Sequence, residues 1–350
     1  MSKRTILISF SLILLLSGCQ LQPIRSNPPA PPTNGIYKSV DNGSTWQYLT
    51  DPASGTGLPI DNTVVMVPDP KVHTVLFWGS ETVGIFRSWN SGNYWQQINT
   101  GLPATGYARI ERIVFDPQDT NTIYLVGNFD GLGRIVRGIN GGGQWKRLYS
   151  DLLNNTSVTA IIVHPKDSKT LFATSTSRAF LKSTDAGETW QALHWFQGNP
   201  VNLAIHPNNP DVFFVFDQSA GLMRSSDGGR TWIKAMPDTM DVKLNTFAIS
   251  PLNPDSIYVA SKDGAYFSTD AGVTWNILST YLPVEHPDLK AMAFHPADPD
   301  ILYFSSRDTL YITYNHGTSW DIKKLKIPQT ITQIVVDAID PDIIYVGVGT

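Results

Sequence analysis

One eight-residue motif recurs seven times along the 350-residue chain, out of phase with a second motif that also occurs seven times. The first reads S-x-D-x-G-x-T-W in its fullest form, at Ser39–Trp46, Ser183–Trp190, Ser225–Trp232 and Ser268–Trp275. Looser copies are Ser88–Trp95, Gly138–Trp145 and Thr313–Trp320. The glycine and the tryptophan are kept in all seven, and successive tryptophans lie 42 to 50 residues apart. A period of that size marks stacked supersecondary units, none of which can bury its apolar face alone.

The second motif is an apolar run ending in Pro, His-Pro or Asp-Pro, then a polar turn and another apolar run. Phe115-Asp116-Pro117 leads to Ile123-Tyr124, Val163-His164-Pro165 to Leu171-Phe172, and Phe294-His295-Pro296 to Ile301-Leu302-Tyr303. The other copies start at Val67-Pro68, Ile205-His206-Pro207, Ile249-Ser250-Pro251 and Val336-Asp337-Ala338, the last with alanine for proline. Each reads as two short strands joined by a Pro/Asn/Asp turn. The histidines sit at equivalent turn positions in separate units, so they read as turn residues and not as a shared metal site.

The repeats begin and end in mid-unit. The first box, preceded by Gly35-Ile36-Tyr37-Lys38, has no strand pair before it, and the last strand pair, ending in Ile343-Ile344-Tyr345-Val346, has no box after it. Joining these halves predicts an all-β, seven-bladed propeller of four-stranded blades. The ring is closed by pairing strands within 35–50 with strands within 331–350, leaving no open edge there. Composition agrees: 11% aromatic, 16% charged, 27 Gly and 24 Pro suit strands and turns and show no helical periodicity. A net charge of −4 argues against a nucleic-acid partner. Neither zinc-type spacing, a phosphate loop nor a dinucleotide fingerprint is present, so no metal and no cofactor are expected.

Lys3 and Arg4 precede an apolar run from Ile6 to Leu16, the pattern of an export signal and too short to span a bilayer comfortably. Leu16-Ser17-Gly18-Cys19 resembles a bacterial lipoprotein signal, which implies cleavage before Cys19 and lipidation of its thiol. Cys19 is the only cysteine, so the folded part has no disulfide. The reading is a signal peptide over 1–18, a lipidated, proline-rich tether over 19–33 and a propeller over 34–350. At about 3.1 Å per residue the tether reaches roughly 40 Å. The expected location is outside the cytoplasm, on the outer side of the cytoplasmic membrane or on an outer membrane.

The boxes resemble the Asp-box, or bacterial-neuraminidase repeat, of sialidases, sortilin-type receptors, xyloglucanase-like glycoside hydrolases and photosystem II assembly factors. The resemblance covers nearly all of residues 35–350 and is specific for blade type, not for activity. It implies that each box is the turn between the two outer strands of a blade. The third position of the box holds Asp41, Asp185, Asp227 and Asp270, and Asn90, Asn140 and Asn315 fill it elsewhere. Catalysis needs carboxylates converging at one point, whereas a repeat spreads them round a rim. These residues are therefore expected to hold turns, and Trp46, Trp95, Trp145, Trp190, Trp232, Trp275 and Trp320 to pack beside neighbouring strands.

By analogy with other propellers, a ligand site is expected on the face opposite the boxes. Candidate residues in its loops are Tyr107, Arg109, Asp130, Arg134, Arg178, Trp195, Asp217, Asp263, Arg307 and Asp308. Arg134, Arg178 and Arg307 fall at related loop positions, yet the F/Y-R-I-P motif of sialidases is missing and the blade count differs. The expectation is a monomeric, lipid-anchored scaffold without catalytic residues, binding a protein or polysaccharide at the membrane surface. The alternatives are a glycosidase using carboxylates such as Asp130, Asp217, Asp263 or Asp308, and a lectin-like sugar binder stacking on Trp195 and Tyr107. Gly35 is expected on the face opposite the boxes, with Thr350 beside it.

Overall fold

A computed structural model describes residues 34–50, 58–237, 240, 242–278 and 287–349. The expected signal peptide over 1–18, Cys19, the expected tether over 19–33 and Thr350 lie outside the described residues. Among those described, the strands form seven antiparallel sheets of four. Six run in sequence order from the innermost strand outward, as in blade 1: Thr63–Pro68, Leu76–Ser80, Ile85–Ser88 and Trp95–Gln97. The inner strands of blades 2 to 6 are Ala108–Phe115, Val158–His164, Pro200–Ile205, Leu244–Ile249 and Ala291–Phe294.

The seventh blade is built from both ends of the domain. Thr330–Val336 and Ile344–Gly349 supply its inner pair, and Gly35–Ser39 and Gln47–Tyr48 its outer pair. Gly35 pairs with Val348 and Ser39 with Ile344, so the joint runs the whole length of the shorter strand. The inner strands touch one another in an unbroken circle, with Thr330–Val336 of blade 7 against Thr63–Pro68 of blade 1. The ring is a closed seven-bladed propeller.

Burial falls from the second strand outward, and the sequence shows why. The second strands are continuous runs of β-branched and aromatic residues, such as Ile257–Ser261, Leu302–Ser306 and Ile344–Gly349. All of their residues are buried, because both sheet faces are covered by the next blades. Outer strands such as Gln47–Tyr48 and Asn276–Ile277 are short and mostly exposed, which blunts the rim against edge pairing.

Each box closes the turn between third and fourth strands. Ser39 Oγ donates to Asp41 Oδ1 and accepts from the Gly43 amide, both at 2.8 Å. Asp41 also accepts the Thr45 amide at 2.8 Å and the Thr45 hydroxyl at 2.7 Å. The same wiring recurs around Asp185, Asp227 and Asp270. Asn90 and Asn315 keep the acceptor half of it. The Gly138–Trp145 box has no hydroxyl at its start, and the Gly142 and Gly143 amides bond to Ile139 O instead.

The box is also the joint between blades. Its glycine has positive φ in all seven copies, and so does the residue before it, from Asn42 to His316. A Cβ on Gly229 would collide with the Phe180 ring of blade 3, and one on Gly317 would lie 2.6 Å from Leu278 O of blade 5. Glycine therefore meets two demands, the left-handed turn and the close approach of a neighbour. Trp95 and Trp275 are buried, while the other five box tryptophans are half-buried. Trp232 packs edge-on against Phe180 and Phe196 of blade 3, and Trp145 Nε1 donates to Ile98 O of blade 1 at 2.7 Å.

On the box face, the turn between first and second strands is held by the residue before the proline. His206 Nδ1 accepts the Asn208 and Asn209 amides, His295 Nδ1 those of Ala297 and Asp298, and Asp116 Oδ1 those of Gln118 and Asp119. His164 Nδ1 accepts the Lys166 amide. One residue of each such turn also accepts a bond from the same blade's box, as in Ala186 N to Lys169 O at 2.8 Å.

Two outcomes test this architecture. Deleting residues 331–350 removes the partners of Gly35–Ser39, so it should abolish cooperative melting or lower its midpoint far more than deleting an equal length of surface loop; melting at the parental temperature would exclude closure by this route. The hydrogen bond from the box threonine hydroxyl is the first cause that lowers the box carboxylates, to about 2 for Asp41, Asp185 and Asp270, with Asp227 also lowered. A lowered carboxylate stabilises the fold above its unfolded value near 3.9 and loses that contribution as pH falls toward 2. Melting midpoints should therefore drop between about pH 4 and pH 2, and a variant with all four aspartates changed to asparagine should show a shallower drop.

Candidate functional site

Strand direction sorts the loops into two faces. Boxes and first hairpins occupy one. The opposite face carries the loops between blades and the turns between second and third strands. Gly35 lies at the end of its strand remote from the box, where its carbonyl accepts the Thr63 hydroxyl at 2.9 Å. Gly349 lies beside Asn62 at the same end.

On this face two of the candidate carboxylates are anchors for backbone. Asp217, fully buried, accepts the amides of Gly198, Ser219 and Ala220 at 2.7–2.9 Å. Asp130 accepts the amides of Thr105, Gly106 and Tyr107 at 2.7, 3.2 and 3.1 Å, and the Thr105 amide is the first cause that lowers its pKa. Asp308 lies 3.8 Å from Lys324 Nζ, and Asp263 is exposed on its turn.

The three arginines do not form a set. Arg178 and Arg307 hold turn positions with φ of 72° and 49°. Arg134 is instead within strand Leu132–Ile139, paired with Gly127 and Ser150, because the second strand of blade 2 runs on to Phe129 and leaves a tight turn at Asp130-Gly131. Arg109 binds Glu81 at 2.6 Å and Glu111 at 2.9 Å, which joins blades 1 and 2 at the mouth of the central channel. Trp195 ends the outermost strand of blade 3 and is 63% exposed.

The structure brings Tyr107, Arg109 and Asp130 together along one groove of about 590 Å³, with Asn128, Asn155 and Asn199. Trp195, Asp217, Asp263, Arg307 and Asp308 do not line it. A second cavity of about 350 Å³, at the channel mouth, is lined by Glu81, Arg109, Glu111, Arg112, Asn202 and Thr332. Burial lowers the pKa of Arg112, and the nearby Glu111 opposes that. A larger cavity, about 780 Å³, opens between blades 4 and 5 and combines Phe216, Leu222, Met236 and Val242 with Lys234, Lys243 and Lys262.

Sequence reasoning missed Glu81, Glu111 and the cavity between blades 4 and 5, which have no repeat signature. It also missed a cationic link between blades that does have one. A lysine or arginine precedes the box in five of seven repeats. Lys38 Nζ donates to Ser91 O, Arg87 to Gly141 O, Arg137 to Ala186 O and Arg224 to Ala271 O, each on the next blade's box.

Comparison with known proteins points to the same fold. A sortilin family model (sortilin, neurotensin receptor 3) matches residues 220–327. No curated protein matches the chain in sequence. Among solved structures, the GH74 xyloglucanase from Xanthomonas campestris superposes with a TM-score of 0.69 at 16% identity, over 84% of this chain and 51% of that one. The chain thus spans about half the length of that enzyme. YCF48 bound to D1 peptide aligns with a TM-score of 0.64 at 15% identity, over 83% of this chain and 94% of that one. The extracellular domain of a one-component system from B. thetaiotaomicron gives 0.61 at 13% identity, over 82% and 37%. At these identities the likeness establishes the fold, a propeller built from Asp-box repeats.

Asp217 gives the sharpest test of the anchoring role. Asp217→Ala leaves three loop amides without their acceptor, and should cost about 2–3 kcal/mol in chemical denaturation. An unchanged unfolding midpoint would show that water replaces the carboxylate.

Proposed function

We propose that this protein is an exported, lipid-anchored propeller that binds a protein segment on the face opposite its boxes, without catalysis. The reading takes 1–18 as the signal peptide, Cys19 as the lipidated residue and 19–33 as the tether. The observation that carries it is the use of Asp130 and Asp217. A glycosidase needs two carboxylates free to exchange protons or attack across a groove, and these two are occupied by backbone amides on several sides. Glu81 and Glu111 are likewise tied to one guanidinium.

Support for a peptide comes from the cavity between blades 4 and 5, whose mixed apolar and lysine lining suits a side chain with an acidic neighbour. YCF48, a propeller of nearly the same span, is found with a D1 peptide bound. A sugar-binding reading draws on one feature, exposed Tyr107 beside the asparagine-lined groove.

A photo-crosslinker placed at Lys262 should capture a protein in cells, whereas one at Val273 on the box face should not, and Cys19→Ala should release the protein from the membrane fraction. Hydrolysis of a polysaccharide by the purified protein, lost in Asp263→Asn or Asp308→Asn with the melting curve unchanged, would overturn the non-catalytic reading.

A further inference from the structure

Among the described residues, Ile60, Tyr107, Leu152, Leu153 and Trp195 are exposed large apolar residues on the face opposite the boxes, and they share one sector, from the junction of blades 7 and 1 round to blade 3. Leu152 is 96% exposed and Leu153 60%. Both belong to Gln144–Asn154, an eleven-residue outer strand where other blades have two to five residues. Blade 2 therefore extends its rim with two adjacent leucines at the tip.

Hydrogen bonds make the sector continuous. Asp61, next to Ile60, accepts the Thr82 amide and hydroxyl, and Thr82 O accepts the Ala108 amide next to Tyr107. Tyr107 O accepts the Asp130 amide, and Gly131 O accepts the Asn155 amide, just past the leucines. Asp151, buried beside Leu152, accepts the Ser175 hydroxyl, and the turn that follows carries exposed Arg178, whose carbonyl accepts the Phe196 amide next to Trp195. The protrusion is thus held from behind by a buried carboxylate, and its apolar tip is left to solvent.

We infer that this arc seats on a phospholipid surface, with Leu152 and Leu153 inserted among the acyl chains, Trp195 and Tyr107 at headgroup depth and Arg178 against headgroup phosphate. Lipid is the occupant that the chain's own layout favours. Gly35 sits at one end of the arc, where its carbonyl accepts the Thr63 hydroxyl three residues after Ile60, and the sequence before it holds the apolar run from Ile6 to Leu16 and Cys19. A clustered pair of exposed leucines flanked by tryptophan, tyrosine and arginine is what an interfacial contact requires. The inference rests on the exported, membrane-tethered reading and specifies which surface meets the bilayer.

The test uses residues 34–350, which contain all seven blades and their closure, so that no lipid anchor contributes. This domain should cosediment with vesicles of phosphatidylethanolamine and phosphatidylglycerol. Leu152→Ser with Leu153→Ser should weaken binding by about tenfold, since binding scales with buried apolar area, and Trp195→Gln should weaken it with the same melting curve as the parent. Absence of vesicle binding by the parent domain, or binding unchanged in both variants, would overturn the inference. So would self-association in sedimentation velocity that disappears with the two leucines, which would make the arc a protein interface. Retention of Cys19-dependent fractionation alongside such a failure would leave the anchoring itself intact.

Discussion

The pairing of Gly35–Ser39 with Ile344–Gly349 is the contact on which the ring depends. A blade buries its second strand only when a sheet covers each face. Without the closing pair, blades 6 and 1 would each lose a neighbour, and two sheet edges would open to solvent. The pair joins residues some three hundred positions apart, which makes it a strongly non-local contact. Closure also brings the two ends of the domain together beside Asn62 and Thr63, on the face opposite the boxes.

Between blades the work of cohesion falls to the boxes. Each presses a left-handed, glycine-containing turn onto the preceding blade, with no side chain to hold the two apart. Lys38, Arg87, Arg137 and Arg224 then reach forward to box carbonyls, so that the same turn is gripped from behind by apolar packing and from the side by a cation. The acidic box residues are internal parts of this turn, their oxygens facing the hydroxyl of the serine two residues before and the amide and hydroxyl of the threonine four residues after. That is why asparagine serves at positions 90 and 315, where it keeps the acceptor bonds.

The opposite face is free of these constraints and is where the blades differ from one another. Blade 2 lengthens its outer strand, blades 4 and 5 part to form a cavity of about 780 Å³, and blades 1 and 2 share Arg109 between two glutamates. Asp130 and Asp217 hold these departures in place by gathering loop amides. A rigid ring with an individually shaped loop face is suited to presenting a recognition surface.

The sequence alone determined the blade number, the four-strand unit and the closure, because each follows from local periodicity and from two complementary half repeats. The resemblance of the boxes to the Asp-box placed them on outer-strand turns, and the eight-residue S-x-D-x-G-x-T-W stretch is a self-contained hydrogen-bonding unit there. Tertiary structure decided what single positions do. Asp217 and Asp130 read as free carboxylates until the amides of Gly198 and Gly106, many residues away, are seen to converge on them. Arg134 reads as a loop residue until the second strand of blade 2 is found to run on to Phe129. Glu81 and Glu111 meet Arg109 only because the ring sets blades 1 and 2 side by side. Repeats are legible because the same local physics is written many times, whereas a site is assembled once, from loops whose neighbours are fixed by closure of the ring.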